Sequence, residues 1–543
     1  MMCGIGSYTS YLVSKMCAEH WKATSFRLDE FLRTEQISQV NSRVSYEICL
    51  SSPCLPTSLN GGVIWFQHAF GMWGRDPAPF IQLVEEAGKR KAKVIASFHT
   101  IHFESDETDS GMSKKEDSLM RDVLPLLDAV TVFTEGSCRA LKKAFPQYED
   151  KIVTLRHGVH IYPQVSQEQA IDKLLRYLID QATISSSKKR ELDEMYSKFF
   201  SAETVFLGNF GYITSDKDPL ALYELGGLIR DRFPKHRVIV LYVGTVQKRK
   251  DKKMEESLAI LENLRSVHNG RGNLFFEDYL PEEILPSAFR ALDFSVFWCH
   301  NATQSGRMAH AQGAGACVVG RKIEGVGETL DLAGLPAAVS LEDLAEKIGR
   351  FVTEPGLRKE AEKSSWRYVQ EYSFEKQARK HLLLEKAVRS AGKLPTLDRT
   401  EPDITFILPR LALGKGRGLE QAPKEVTAFL NVADDVVLYP SPRNYHRIPL
   451  QDGVPVPAEK MREAISWIKR HIPFHEIIVF CRYGEGRSAA VIIGYLCAIG
   501  HDYQEAVKLV ASMRPRVKPL PGLRQTIERA LEGASQILTA DAG

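Results

Sequence analysis

The sequence Val479-Phe480-Cys481-Arg482-Tyr483-Gly484-Glu485-Gly486-Arg487-Ser488 is the clearest chemical motif in this chain. The apolar run 477–480 predicts a buried strand, and the apolar run 489–499 predicts a buried helix. Backbone N–H groups at a helix start bind anions, and two glycines let the loop curl around one. In that setting a cysteine is favoured as the thiolate, and an arginine can hold two phosphate oxygens. The motif therefore predicts Cys481 as a nucleophile toward phosphorus.

This loop resembles the signature loop of the protein tyrosine and dual-specificity phosphatases, and the resemblance covers residues 404–532. Upstream, Tyr445-His446-Arg447-Ile448-Pro449-Leu450-Gln451-Asp452 resembles the family's general-acid loop, with Asp452 29 residues before Cys481. Downstream, Arg514-Pro515 ends a predicted helix as in that family, and residues 406–414 resemble its opening segment. One departure is that Phe480 stands where the family has a histidine.

The resemblance implies a phosphatase that forms a cysteinyl-phosphate. Its implied catalytic residues are Cys481, Arg487, Asp452 and Ser488, and its implied phosphate-binding loop is Arg482, Tyr483, Gly484, Glu485 and Gly486. Two alternatives stay open at this point. Cys481 could be an inert cysteine at a strand end, or the domain could be an inactive relative of the phosphatases.

Length and composition indicate a multidomain globular protein. The chain has 543 residues, of which 44% are hydrophobic and 26% charged, and its net charge is +3. This balance does not suggest a nucleic-acid partner. Nine cysteines without a Cys-x-x-Cys pair favour a reducing, cytoplasmic setting, and they predict neither a disulfide scaffold nor a metal site. No apolar run is long enough for a transmembrane segment, which leaves peripheral membrane contact open.

Apolar strands alternate with amphipathic helices over the first 390 residues, the pattern of parallel α/β sheets. Predicted strands are 62–67, 93–98, 129–133, 152–155, 205–208, 237–243, 273–276, 294–297 and 316–319, and a polar, helix-prone stretch spans 167–200. The fold class is therefore α/β, with two Rossmann-like domains followed by a cysteine-phosphatase α/β domain. The predicted boundaries are 1–195, 196–390, a linker at 391–402, and 403–543.

The first two domains resemble retaining, family 4-like glycosyltransferases of the GT-B fold. Four segments carry this resemblance: Cys3-Gly4-Ile5-Gly6-Ser7-Tyr8-Thr9 for the Gly-rich loop, residues 67–74, Arg156-His157-Gly158-Val159, and residues 208–217. The family places a β-strand before its Gly-rich loop, so we expect a sheet one strand short or a chain that starts late. The resemblance also implies a nucleotide-sugar site in the cleft between the two domains and a helix that returns to the first domain.

The residues predicted for this nucleotide-sugar site are Gly4, Gly6, Lys217, Thr303, Ser305, Gly306, Arg307, Glu324 and Glu328. The family's two glutamates of the donor-sugar site are absent, because Ala302 and His310 align with them. Hydroxyl groups, glycine and arginine at a helix start suit a diphosphate, and Glu324 and Glu328 could replace the missing carboxylates. Alternatively, the two glutamates cap a helix, and Lys217 is a solvated loop lysine.

The combined hypothesis is a bifunctional glycosyltransferase and phosphatase of sugar-phosphate or phosphorylated-acceptor metabolism. Its partners would be a nucleotide sugar and a phosphorylated small molecule or glycan, and it requires no cofactor. The alternative is a phosphatase that an inactive glycosyltransferase-like domain regulates or targets. A third hypothesis is a protein-phosphotyrosine phosphatase carrying a scaffold.

Overall fold

A computed structural model gives the architecture of the chain. It describes residues 4–16, 52–57, 59, 61–70, 76–201, 203–247, 252–268, 272–398, 404–416, 419, 422–438, 442, 444–514 and 516–540. The chain divides into two compact units, Met1–Arg399 and Thr400–Gly543. This boundary lies inside the predicted linker at 391–402.

The first sheet of the Met1–Arg399 unit has four parallel strands in the order β1-β2-β3-β4. The strands are β1 (Val63–His68), β2 (Lys93–Phe98), β3 (Ala129–Val132) and β4 (Ile152–Thr154). Helices α1 (Gly4–Ser14), α2 (Ala78–Lys89), α3 (Lys114–Val123) and α4 (Glu135–Ala144) belong to the same half. Phe66, Phe80 and Phe98 lie in its core, where rings from strand and helix interdigitate.

The predicted Gly-rich loop is wrong in one respect. Gly4 and Gly6 lie inside α1, not in a loop ahead of it. The reason is packing: Tyr8 and Leu12, one helical turn apart, bury their side chains against Phe133 and Phe374. This apolar stripe stabilises a helix despite the two glycines.

The polar stretch after the first sheet is helical, as its composition predicts. It forms α5 (Gln167–Arg176), continues as a π-helical turn over Tyr177–Gln181, and then forms α6 (Ser186–Met195). Ser166 and Gln169 make a reciprocal capping box at the start of α5.

The second sheet has six parallel strands in the order β10-β9-β8-β5-β6-β7. The strands are β5 (Thr204–Phe210), β6 (Arg237–Val243), β7 (Asn273–Phe276), β8 (Phe294–Phe297), β9 (Val318–Arg321) and β10 (Ala337–Ala338). The helices are α7 (Pro219–Arg232), α8 (Lys252–Val267), α9 (Leu285–Ala291), α10 (Gly306–Gly313), α11 (Glu324–Ala333), α12 (Leu341–Thr353) and α13 (Pro355–Glu371). The strand order reverses beside β5, and in such sheets ligands bind at the carboxyl ends of the strands near the reversal.

The last helix of this unit, α14 (Phe374–Arg389), packs on the first sheet. Leu384 and Val388 are buried against Ile95 and Ala129, and His381 stacks on Trp65 with ring centroids 4.7 Å apart. This helix follows the second sheet in sequence, so it returns to the first half and joins the two.

The Thr400–Gly543 unit holds a five-stranded sheet in the order β11-β12-β15-β13-β14. The strands are β11 (Ile404–Leu408), β12 (Leu411–Lys415), β13 (Val426–Ala433), β14 (Tyr445–Leu450) and β15 (Glu476–Cys481). The first pair is antiparallel and the other pairs are parallel. The helices are α15 (Ala458–His471), α16 (Arg487–Ala498), α17 (Tyr503–Met513) and α18 (Leu523–Ala540).

The α/β class with parallel sheets is confirmed. The predicted strands at 93–98, 237–243, 273–276 and 294–297 have the bounds that the sequence indicates, and most of the others differ by one or two residues. The prediction at 316–319 lies two residues early, because the strand there is Val318–Arg321. None of the helices that the structure describes is long and apolar enough to cross a membrane.

Candidate functional site

The Cys481 loop follows β15, the central strand of the five-stranded sheet. Strand β15 ends at Cys481, which is buried, and α16 begins at Arg487. Strands β12 and β13 flank β15 in parallel on either side. The loop therefore stands at the carboxyl edge of the sheet and at a helix N-terminus, the setting in which backbone N–H groups commonly bind an anion.

Gly484 is the loop residue whose backbone requires glycine. Its φ is +65°, and a Cβ there would lie 2.6 Å from Nη2 of Arg514 and 2.9 Å from the carbonyl oxygen of Gly414. Gly486, the residue before α16, has a negative φ of −109°, and a Cβ there would contact Leu520 at 3.3 Å. Of the two glycines, Gly484 is thus the one on which the curl of the loop depends.

Ser488 lies within hydrogen-bond distance of the cysteine. Its Oγ lies 3.2 Å from Sγ of Cys481, and its side chain is fully buried. A hydroxyl at this distance can donate a hydrogen bond to a thiolate. The structure therefore brings these two predicted catalytic residues together.

Arg487 is buried to 1% exposure, and two carboxylates that the sequence interpretation missed hold it. Its Nη1 donates to Oδ1 of Asp434 at 2.6 Å, to Oδ1 of Asp435 at 2.7 Å and to the carbonyl oxygen of Leu450 at 3.3 Å. Its Nε is buried and has no hydrogen-bond partner among the described residues. One end of the guanidinium group is thus anchored, while Nε is left for another acceptor.

Asp452 lies on the turn after β14, with Oδ1 3.7 Å from Nε of Arg487. A Cβ on Gly486 would be 3.6 Å from the same oxygen, so Asp452 faces the loop. Its side chain is 44% exposed, so the carboxylate is accessible from solvent. The predicted general acid is therefore placed beside the predicted phosphate site.

Asp435 links the two arginines of the loop. Its Oδ2 lies 2.8 Å from Nε of Arg482, and its Oδ1 accepts from Arg487. Burial would raise the pKa of Asp435, but the two guanidinium groups hold it below its ordinary value. Burial would likewise lower the pKa of Arg487, and Asp435 together with Cys481 and Asp452 raises it. The site is a network of paired charges.

Tyr483 and Glu485 are half-buried members of the loop. The carbonyl oxygen of Glu485 accepts a hydrogen bond from the N–H of Lys518 at 3.0 Å, so its backbone is held from outside the loop. Asp434 and Asp435 both directly follow the buried strand β13, and this is the signal from which their position would have to be inferred. Carboxyl ends of parallel neighbours gather at one edge of a sheet, but the strand order needed for that inference is not in the sequence.

In the Met1–Arg399 unit, Lys217 and Arg307 lie in one cleft. Both line a cleft at the carboxyl end of β5, together with Asn209, Asp218 and Trp298. Burial, followed by the charge of Arg307, lowers the pKa of Lys217 to about 7. Nη1 of Arg307 donates to the carbonyl oxygen of Phe210. Two cationic side chains thus share one small cleft.

The start of α10 lines a second cavity between the two halves of this unit. Ser305 is the N-cap of α10 and accepts from the N–H of Met308 at 3.3 Å. Thr303 is buried and donates from Oγ1 to the carbonyl oxygen of His99 at 3.0 Å. A Cβ on Gly306 would lie 3.9 Å from Nε2 of His157, so the first half of the unit approaches this helix start closely.

Glu324 and Glu328 contact protein groups of the first half. Glu324 Oε1 accepts from the N–H of Phe103 at 3.0 Å and of Glu104 at 3.2 Å, and Oε2 lies 2.8 Å from Nδ1 of His102. These bonds join the start of α11 to the loop after β2. A role of Glu324 toward sugar hydroxyls stays a prediction, and it would require these bonds to exchange.

Glu328, a residue of α11, contacts the N-terminus of α4 with its carboxylate. Its oxygens accept from the N–H of Glu135 at 2.8 Å and of Gly136 at 2.9 Å, and Nη2 of Arg156 lies 2.5 Å from Oε1. Burial would raise the pKa of Glu328, but Arg156 and the two N–H groups bring it below its ordinary value. Two carboxylates from α11 thus hold the two halves of the unit together. Among the described residues, no group of His, Cys, Asp and Glu side chains has the arrangement of a metal site.

Comparisons with known proteins give structural likenesses only. No protein-family model matches the chain, and no curated protein sequence matches it. An α,α-trehalose 6-phosphate synthase from Burkholderia multivorans is 10% identical, covering 61% of this chain and 72% of its own, with a TM-score of 0.47. An E. coli trehalose-6-phosphate structure bound with UDP-2-fluoro glucose is 11% identical over 61% and 74%, with a TM-score of 0.46. Tk-PTP in its active form is 21% identical over 24% and 99%, with a TM-score of 0.23.

The His102–Glu324 contact generates a prediction about pH. The hydrogen bond with Glu324 raises the pKa of His102 above its ordinary 6.5, against the effect of burial. A raised pKa in the folded state stabilises the fold fully below pH 6.5, and this stabilisation is lost as the pH rises through the folded value. We expect the thermal midpoint of this unit to fall from pH 6 toward pH 9, in a way that His102→Gln abolishes. Calorimetry measures the thermal midpoint at each pH, and hydrogen exchange of residues 102–104 measures the local stability of the contact.

His501→Gln replaces an exposed histidine of the other unit and serves as the control. It should leave the pH dependence of the first transition unchanged. A His102→Gln variant that retains the full dependence would show that another group titrates.

Proposed function

We propose that the Thr400–Gly543 unit is a cysteine-dependent phosphomonoesterase. The observation that carries this proposal is the state of Arg487, a buried guanidinium group with Nη1 anchored by two aspartates and Nε without a hydrogen-bond partner among the described residues. A buried N–H without an acceptor is costly, and a phosphate oxygen would satisfy it. Cys481 ends the strand at the other end of the same loop.

In the first step, Sγ of Cys481 attacks phosphorus as the thiolate, and the bond from phosphorus to the ester oxygen breaks. The N–H groups of the loop and Arg487 stabilise the charge that develops on the phosphoryl oxygens. Asp452, protonated, gives its proton to the departing alcohol or phenol oxygen. The products are the free alcohol and a cysteinyl-phosphate.

In the second step, a water molecule attacks the cysteinyl-phosphate. Asp452, now a carboxylate, takes a proton from this water, and the phosphorus–sulfur bond breaks. Ser488 Oγ, 3.2 Å from Sγ, donates a hydrogen bond to the sulfur as it leaves with the electron pair. Inorganic phosphate is released, and the thiolate of Cys481 is regenerated.

Cys481→Ser is expected to abolish phosphate release from an aryl phosphate, because the hydroxyl is not ionised near neutral pH. Steady-state phosphate release by the full chain measures this. Cys497→Ser, a half-buried cysteine near the end of α16, is the matched control and should keep wild-type turnover. Residual turnover of Cys481→Ser within about tenfold of the unchanged chain would contradict a nucleophilic role.

Asp452→Asn is expected to lower kcat about 10²–10⁴-fold on phenyl phosphate, whose leaving group needs a proton. On an aryl phosphate with a strongly activated leaving group, the loss should be small. Parallel kcat measurements on the two substrates make the test. An equal loss on both would show that Asp452 acts structurally, through its contact with Arg487.

We also propose that the cleft at Lys217 and Arg307 binds the diphosphate of a nucleotide or nucleotide sugar. Two observations favour it: the two cations share one cleft, and the pKa of Lys217 is lowered to about 7. An anionic ligand would compensate the repulsion between the cations and favour the ammonium form. Such binding fits a glycosyl-transfer role for this unit and, equally, an inactive domain that regulates the phosphatase.

Together the two proposals describe a bifunctional chain. A transferase would glycosylate a phosphorylated acceptor, and the phosphatase would then remove the phosphate, which makes the sequence irreversible in practice. This order of reactions is inferred from the chemistry of the two sites alone.

Calorimetry with nucleoside diphosphates and nucleotide sugars tests the cleft. Arg307→Ala should weaken binding by about 1–3 kcal/mol, because a charge-assisted bond is lost. Above pH 7 binding should take up protons, since Lys217 is largely neutral in the free protein and charged in the complex. Titrations in buffers of different ionisation enthalpy measure this uptake.

Arg350→Ala, a surface arginine of the same half, is the control and should bind as the unchanged chain does. If the chain binds no nucleotide at millimolar concentration, the cleft proposal fails. If it binds nucleotide sugar but transfers nothing to a phosphorylated acceptor, the regulatory alternative is correct.

A further inference from the structure

Arg514 is the second guanidinium group beside the Cys481 loop, and the proposed chemistry does not use it. It follows α17, its exposure is 0%, and it lies next to the loop residue with the left-handed backbone. A fully buried arginine is stabilised by the acceptors that its N–H groups find. The acceptors it has found identify its role.

The acceptors of Arg514 belong to three segments of the unit. Nη1 donates to Oγ1 of Thr405 on β11 at 3.1 Å and to the carbonyl oxygen of Leu413 on β12 at 3.5 Å. Nη2 donates to the carbonyl oxygen of Gly484, in the loop itself, at 3.3 Å. One planar guanidinium group thus ties the loop to two strands of the sheet.

The bond between Arg514 and the carbonyl oxygen of Gly484 bears on how the loop can bind an anion. A loop that presents its N–H groups to a phosphate must turn its carbonyl oxygens away, and these buried oxygens then need donors elsewhere. The carbonyl oxygen of Gly484 accepts a hydrogen bond from Arg514. The carbonyl oxygen of Glu485 accepts one from the N–H of Lys518, which lies four residues after Arg514 in the sequence. The segment 514–518 therefore supplies donors to two successive carbonyls of the loop.

We propose that Arg514 is a positioning residue for the phosphate loop: by binding the carbonyl of Gly484 it fixes the conformation in which the loop N–H groups face the phosphoryl oxygens. Its positive charge lies behind the loop and adds to the field that favours an anion in front of it. This inference rests on the proposed phosphatase function. It assigns Arg514 no contact with substrate.

The test measures anion binding and turnover separately, with the full chain. Arg514→Met keeps the length of the side chain without its donors, and Arg514→Gln keeps a single donor group. We expect the Kd for inorganic phosphate, measured by calorimetry well below the thermal transition, to rise about tenfold to a hundredfold in Arg514→Met and less in Arg514→Gln. The kcat/KM for an aryl phosphate should fall by a similar factor.

Arg410→Met is the matched control, because Arg410 is exposed and donates to the carbonyl of Pro473. It should leave phosphate binding and turnover unchanged. If Arg514→Met does not fold, Arg514→Lys decides: it keeps the cation, but a single ammonium cannot replace the fork. The Kd for phosphate should then rise in Arg514→Lys.

Two results would overturn the inference. A folded Arg514→Met or Arg514→Lys variant with a lower thermal midpoint but an unchanged Kd and kcat/KM would show that Arg514 only stabilises the fold. An unchanged chain that neither binds phosphate nor hydrolyses an aryl phosphate would overturn the proposed phosphatase function itself, and the inference with it. The first result leaves the phosphatase function standing, so the two failures are distinguishable.

Discussion

A buried guanidinium group must find acceptors for its N–H groups, and this demand shapes both units of the chain. Arg156, Arg487 and Arg514 are among the largest fully buried side chains that the structure describes. Each carries a permanent charge that water no longer solvates, so carboxylates or carbonyl oxygens must take the place of water. The segments that supply these acceptors are held in place by the same bonds.

In the Met1–Arg399 unit, the acceptor for Arg156 is Glu328, which also binds the first N–H groups of α4. Breaking a buried pair of this kind typically costs about 3–5 kcal/mol, because one charge is left unpaired. Arg156 follows the last strand of the first sheet, whereas Glu328 belongs to a helix of the second half. The pair therefore ties the two halves of the unit together and contributes to the stability of the whole unit.

Local structure could be predicted from the sequence, but the side chains that pair with the buried charged groups could not. Strands such as 93–98 and 237–243 could be predicted because a buried parallel strand is a continuous apolar run bounded by polar turns. The Cys481 loop could be recognised because its chemistry lies within ten residues of sequence. Asp434, Asp435 and the partners of Glu324 could not be found, since they depend on which strands and loops become neighbours. Gly4 and Gly6 were assigned to a loop because the segment resembles the Gly-rich loop of a glycosyltransferase family, whereas the burial of Tyr8 and Leu12 stabilises a helix there.

The charge network at the Cys481 loop has a further consequence. Around its mouth, the positive charges of Arg482 and Arg487 face the negative charges of Asp434 and Asp435, so the four side chains balance one another. A phosphate approaching from solvent therefore meets little net charge from them. In the proposed phosphatase, its attraction would arise at short range, from the backbone N–H groups of the loop and from Nε of Arg487. Dissolved salt screens long-range attraction between exposed charges far more than directed contacts in a buried pocket. For the phosphatase proposed above, capture of substrate at this loop would therefore depend on fit and little on ionic strength.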